Sequence, residues 1–80
     1  MTSKSTYNGH PNYNAWNVAL WLGNDHGLHS LARSFLKHVK PKEAAAVAML
    51  EALQQKGHHK TPDGVPYTKR SILHAMRGLA

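Results

Sequence analysis

Apolar residues recur at the spacing of an α-helix between residues 28 and 39. They occupy positions i, i+3, i+4, i+7, i+8 and i+11, and they are Leu28, Leu31, Ala32, Phe35, Leu36 and Val39. Because an α-helix has about 3.6 residues per turn, these side chains lie on one face. Asp25 precedes the segment and can cap its first turn. The spacing therefore predicts an amphipathic helix that buries one face against the rest of the chain.

Two later segments have the same character. Pro41 suits the first position of a helix, residues 44–55 are strong helix formers, and Gly57 suits the position just after a helix end. Thr68 is a candidate N-cap for a last helix that runs to Leu79. The apolar stripes of these two helices are Ala46, Val47, Leu50 and Leu53, and Ile72, Ala75, Met76 and Leu79.

The segment from Ala15 to Leu22 holds both tryptophans and is apolar at seven of its eight positions. Its even positions alternate as in a strand, and they are Trp16, Val18, Leu20 and Leu22. Helical spacing from Tyr13 fits equally well, with Asn14 as a candidate N-cap and Gly23-Asn24 as a stop. We predict a short helix that is apolar nearly all round and therefore largely buried.

These segments predict an all-α fold, a small bundle of three to four short helices. Eighty residues are too few for two cores, so we expect a single domain. Residues 1–11 are polar and expected to be flexible, and residues 58–67 form a connection with the turn sequence P-D-G. The predicted core anchors are Trp16, Leu20, Trp21, Leu28, Leu31, Phe35, Leu36, Leu50, Leu53, Ile72 and Met76.

The chain is strongly basic, with ten lysines and arginines against four acids and a net charge of +6. This balance favours an acidic partner, although small soluble domains also carry net charges of about 2–8. The basic residues cluster on the polar faces of two predicted helices. The predicted partner-binding residues are His29, Arg33, Lys37 and Lys40 on the helix that follows Asp25, and Lys69, Arg70, His74 and Arg77 on the last helix.

No catalytic constellation is visible, so we expect a protein that is not an enzyme and has no cofactor. There is no cysteine, no carboxylate pair is suggested, and no glycine-rich loop follows a strand. The seven histidines lack the spacing and the carboxylates of a metal site, so no metal is expected. Without a secretory signal or a long apolar run, we expect a soluble cytoplasmic protein that contacts no membrane.

The segment Tyr13 to Asp25 reads Y-N-A-W-N-V-A-L-W-L-G-N-D. It resembles a family of small proteins of phages, prophages and plasmids that typically read N-Y-x-T-W-N-V-A-L-W-I/L-x-N-D-E-G. The match covers Asn12 to Leu31, with Ala15 in place of threonine and His26 in place of glutamate. The family has no known activity, so no functional residue carries over. The resemblance implies an accessory protein of a mobile element, and such proteins often act by stoichiometric binding.

We therefore expect an antagonist of a host defence protein or nucleoprotein complex, similar in action to anti-CRISPR proteins, that works as a monomer or homodimer. The alternative is direct nucleic-acid binding through the phosphate backbone with little sequence preference. A structural or regulatory protein that simply dimerises is a third reading. The two basic helical faces are where we expect the partner to bind.

Overall fold

Four α-helices follow one another in the computed structural model, which describes residues 12–79. The helices are α1 (Tyr13–Asn24), α2 (His26–His38), α3 (Lys42–Gln55) and α4 (Lys69–Leu79). The predicted all-α bundle is confirmed, and the ambiguous segment is a helix and not a strand. The flexible segment expected at residues 1–11 lies outside the described residues.

The N-cap of α1 is Asn12. The sequence had predicted Asn14, and that prediction is wrong. The Asn12 Oδ1 accepts a hydrogen bond from the Ala15 backbone N–H at 2.8 Å. Asn14 lies inside the first turn and is exposed. The helix therefore begins two residues earlier than an N-cap at Asn14 would place it.

A single residue, Asp25, joins α1 to α2. Its backbone N–H donates to the Trp21 carbonyl at 2.9 Å, and its Oδ2 accepts from the Leu28 N–H at 2.9 Å. The same residue thus ends one helix and caps the next, as expected for an aspartate at an N-cap. This fixes the angle between the two helices without a loop.

The ends of α3 and α4 follow the predicted signals. Gly57 adopts φ 81° after α3, and the His58 N–H donates to the Leu53 carbonyl at 2.8 Å. This is a Schellman ending, in which glycine adopts the left-handed conformation at low cost. Thr68 caps α4, since its Oγ1 accepts from the Ser71 N–H at 3.1 Å.

The helices occupy the four corners of the bundle. Each of α2 and α4 packs against both α1 and α3, whereas α2 and α4 meet only narrowly and the backbones of α1 and α3 stay apart. Helices α2 and α4 are therefore diagonal neighbours. The fully buried apolar residues at the centre include Val18, Leu22, Met49, Leu53, Ile72 and Met76.

Burial of α1 differs from the expectation that this helix would be largely enclosed. Trp16, Leu20 and Trp21 are only half-buried, and the enclosed face of α1 consists of Ala15, Asn17, Val18 and Leu22. A corner helix in a bundle of this size has neighbours on one side, so its opposite face must meet solvent. Five other predicted anchors are half-buried and pack against the core, and these are Leu28, Leu31, Phe35, Leu36 and Leu50.

Candidate functional site

The polar side of α2 forms one wall of an open groove of about 840 Å³. We call it the basic groove. Its polar lining includes His29, Arg33, Lys37, His38, Lys40 and Lys42, and Leu36, Val39 and Leu79 contribute apolar surface. The structure thus brings together the four basic residues that the sequence placed on one stripe. No Asp or Glu is among the described residues that line the groove.

Two groove residues owe their position to the end of α2. Lys40 lies beyond the last helical residue, and its Nζ donates to the Leu36 carbonyl at 3.4 Å. The Nδ1 of His38 lies 3.0 Å from the Ser34 carbonyl. Basic side chains are favourable at a helix C-terminus because they offset its negative partial charge. The groove is therefore most basic where α2 ends and α3 begins.

Sequence periodicity missed Lys42 and His38 as groove residues. Lys42 belongs to α3, and it reaches the groove because the short turn at residues 39–41 folds α3 back beside α2. A stripe drawn along one helix cannot include a residue from the next. The short connection between the two helices was the sequence feature that could have predicted Lys42 beside α2.

The basic residues of α4 form a separate surface. Lys69 and Arg70 are exposed in its first turn, whereas His74 is half-buried instead of lying on an open polar face. The Arg77 Nη2 lies 3.9 Å from the Glu43 Oε2, in a pair whose side chains are both more than half exposed. None of these basic residues lines the basic groove, to which α4 contributes Leu79.

A polar network ties α1 to the connection at residues 58–68. The buried Asn17 is at its centre: its Nδ2 donates to Asp63 Oδ2 at 2.8 Å, and its Oδ1 accepts from Thr61 Oγ1 at 2.6 Å. Trp21 Nε1 also donates to Asp63 Oδ2, at 2.9 Å. The hydrogen bonds from Asn17 and then Trp21 lower the pKa of Asp63 below its ordinary value of 3.8, against a small opposing effect of desolvation.

This network holds the connection in a fixed shape. Across the turn, the Thr61 N–H donates to the Val65 carbonyl at 2.8 Å, and the Val65 N–H donates to Thr61 Oγ1 at 3.2 Å. Gly64 closes the turn at φ 86°, a conformation that favours glycine. Sequence reasoning treated Asn17 as one position of an apolar helix, because its partners lie more than 40 residues away.

A second pocket, of about 760 Å³, lies where this connection meets the first half of α2 and the end of α3. We call it the Trp21 pocket. Its walls are Trp21, Leu28, Leu31, Leu53, Pro62 and Tyr67. Burial raises the pKa of Tyr67 above its usual value near 10, and the nearby Asp25 carboxylate adds to the rise.

The described residues hold no group of three or more His, Cys, Asp or Glu side chains placed to share a metal ion. None of the helices among them is long and apolar enough to span a bilayer. The Nδ1 of His29 is enclosed and makes no hydrogen bond within this part of the chain. Concave surfaces thus lie beside both halves of α2.

The model of a family of unknown function, DUF7249, matches residues 3–79, so the chain belongs to that family. A search of curated proteins finds no significant match. A search of solved structures likewise finds none.

Proposed function

We propose that this DUF7249 protein is a stoichiometric binding protein that uses the basic groove to engage an acidic surface of a partner protein or nucleoprotein complex. The resemblance of Tyr13–Asp25 to phage, prophage and plasmid proteins supports an accessory role in a mobile element. In that setting the partner is a host protein, and binding antagonises host defence in the manner of an anti-CRISPR inhibitor.

The observation that carries this proposal is the uncompensated charge of the groove. Arg33, Lys37 and Lys42 are exposed and converge on it from two helices. No ion pair joins them to an acid within residues 12–79. Such a one-signed surface raises the rate of encounter with an opposite charge and excludes basic partners.

The shape of the groove favours a protein over a nucleic acid. Leu36, Val39 and Leu79 give it an apolar component that a partner side chain can cover. No Trp, Tyr or Phe is among its described lining residues, so the groove offers no ring of these residues on which an unpaired base could stack.

The test compares two double charge reversals that change the net charge equally. R33E/K37E alters the groove, and K69E/R70E alters the exposed start of α4. Tagged wild-type and variant proteins are incubated with bacterial lysate with and without nuclease, and captured partners are quantified by mass spectrometry. We expect wild type and K69E/R70E to capture the same protein after nuclease treatment, and R33E/K37E to lose it.

Retention of the partner by R33E/K37E, or equal loss in both variants, would contradict the assignment of the groove. Loss of all capture after nuclease would favour the nucleic-acid alternative instead. That alternative also predicts retardation of a DNA duplex at low salt, with an affinity that falls about 10³-fold between 50 and 200 mM salt for six phosphate contacts. Circular dichroism confirms that each variant is folded.

A further inference from the structure

The Trp21 pocket shares Ser30 with the basic groove but has a different chemical character. Its walls are aliphatic and aromatic, and its mouth is charged. Lys42 of the groove and Lys56 of the pocket stand at opposite ends of α3, about 20 Å apart at 1.5 Å per residue. The pocket shares no lysine or arginine with the groove, so a ligand can occupy it without filling the groove.

We propose that the Trp21 pocket receives an aromatic or long aliphatic side chain from an acidic segment of a partner protein. The inference does not rest on the function proposed for the basic groove, and either can fail alone. Three observations carry it: the rigidity of the pocket walls, the apolar chemistry of those walls, and the charges at the mouth.

The walls are rigid before any partner binds. The Trp21 indole is held by its hydrogen bond to Asp63, which is itself held by Asn17. The Tyr67 side chain is buried, and its backbone N–H donates to the His59 carbonyl at 3.0 Å. A pocket whose aromatic walls are already ordered loses little entropy when an anchor side chain enters.

The wall chemistry suits a hydrocarbon or phenyl group. Leu28, Leu31 and Leu53 line the interior, and Pro62 closes one side. A nucleobase would bring several hydrogen-bonding groups into this surface, and burying them without partners is unfavourable. The pocket therefore favours an apolar protein side chain over an inserted base.

The charges at the mouth favour acidic residues on either side of that anchor. Lys56, His58 and Lys60 are exposed there, and neither lysine is paired with an acid among the described residues. The mouth also contains one carboxylate, Asp25, whose Oδ2 accepts the Leu28 N–H at the start of α2, and the two lysines outnumber it. The two lysines and the histidine are thus left to meet carboxylates of the incoming segment.

The test uses the ¹⁵N-labelled full chain and a capped pentapeptide of four glutamates with a central phenylalanine. We expect saturable shifts of the Trp21 indole N–H signal and of the backbone amides of Gly27, Leu28 and Leu31 and of residues 58–61, none of which lines the groove. The same peptide with serine at its centre should bind at least tenfold more weakly, a factor that corresponds to about 1.4 kcal/mol. Equal affinity of the two peptides, or no binding of either at millimolar concentration, would overturn the proposal.

Matched charge reversals separate the pocket from general attraction. K56E/K60E changes the mouth, and K37E/K42E changes the groove by the same number of charges. We expect K56E/K60E to weaken the phenylalanine peptide at least tenfold and K37E/K42E to leave it within about twofold. Equal weakening by both would show that only net charge matters, and this would contradict the pocket. The amide spectrum of each variant reports whether it is folded.

A short oligothymidylate is titrated against the same signals as the competing class of ligand. We expect shifts confined to basic surface residues, with the Trp21 indole signal unmoved. If the oligonucleotide shifts that signal at lower concentration than the peptide does, the pocket takes a base and the proposal is wrong. A further variant, L28S, removes one apolar wall and should weaken the phenylalanine peptide but not the serine peptide.

Discussion

Replacement of the buried Asn17 by alanine should destabilise the protein far more than its position on a mostly apolar helix suggests. Asn17 is fully buried, and Thr61 Oγ1, which is also buried, donates to its Oδ1 at 2.6 Å. Alanine leaves that hydroxyl without an acceptor, which costs about 1–3 kcal/mol. The void left by the amide adds to this, and we expect a total loss of about 2–4 kcal/mol.

A loss of this size is a large part of the stability of a small domain. At about 0.05–0.15 kcal/mol per residue, a chain of this length has a free energy of unfolding of about 4–12 kcal/mol. Each kcal/mol lowers the Tm of such a domain by about 4–8 °C. Urea unfolding followed by circular dichroism at 222 nm measures the change, with the m-value checked for constancy.

Asn14→Ala is the matched control, because Asn14 lies on the same helix and is exposed. We expect this variant to stay within about 0.5 kcal/mol of wild type. A double-mutant cycle with Thr61→Val then isolates the pair, and a coupling of about 0.5–3 kcal/mol is expected for partners in direct contact. If Asn17→Ala matches Asn14→Ala in stability, or the cycle shows no coupling, the reasoning from the buried network is refuted.

Three further predictions concern acid stability, glycine conformation and the enclosed histidine nitrogen. Because the folded-state pKa of Asp63 is lowered below 3.8, its contribution to stability is present above that pH and is lost as the pH falls through the folded value. Urea midpoints from pH 7 to pH 2 should therefore fall less steeply in Asp63→Asn, and an unchanged slope would contradict this. Gly57→Ala places a Cβ at φ 81° and should lower the free energy of unfolding by about 1–2 kcal/mol. Gly23→Ala lies in a helix with open space around the new Cβ, so it should be neutral or stabilise by up to about 1 kcal/mol. Thermal unfolding that ranks the two variants in the opposite order would refute the left-handed conformation of Gly57. His29→Leu removes the unpartnered Nδ1 from α2 and should leave stability unchanged or raise it by about 1 kcal/mol in the same assay, so a clear loss would show that this nitrogen has a partner.

Local sequence signals predicted the helices and most of their ends. Asp25, Gly57 and Thr68 act within a few residues of themselves, through caps and a left-handed turn, so their roles can be read from short stretches of sequence. The basic residues of α2 are likewise fixed by helical periodicity alone. Most of what depends on one helix and its caps was therefore predictable, although the N-cap of α1 is Asn12 and not the predicted Asn14.

The orientation of α1 was not predictable in the same way. A helix that is apolar nearly all round has no clear periodic signal to tell which side faces the core. The structure turns Val18 and Leu22 inward and leaves both tryptophans half-buried. Asn17 is enclosed because its hydrogen bonds to Thr61 and Asp63 compensate for its burial. These hydrogen bonds join residues that lie 44 and 46 positions apart in the chain. They depend on how the helices pack, so no local sequence pattern predicts them.

These contacts give the tryptophan-rich segment two physical roles. Through Val18 and Leu22 it supplies core, and through Asn17 and Trp21 it holds the connection that forms one side of the Trp21 pocket. The basic groove depends on neither contact, since its lining comes from α2, the turn after it, the start of α3 and the end of α4. A folded Asn17→Ala protein should therefore lose affinity for the phenylalanine peptide, whereas R33E/K37E should keep it. The partner captured through the groove should be lost by R33E/K37E and kept by Asn17→Ala. Variants of the Asn17 network and of the groove therefore distinguish which of the two proposed surfaces a partner uses.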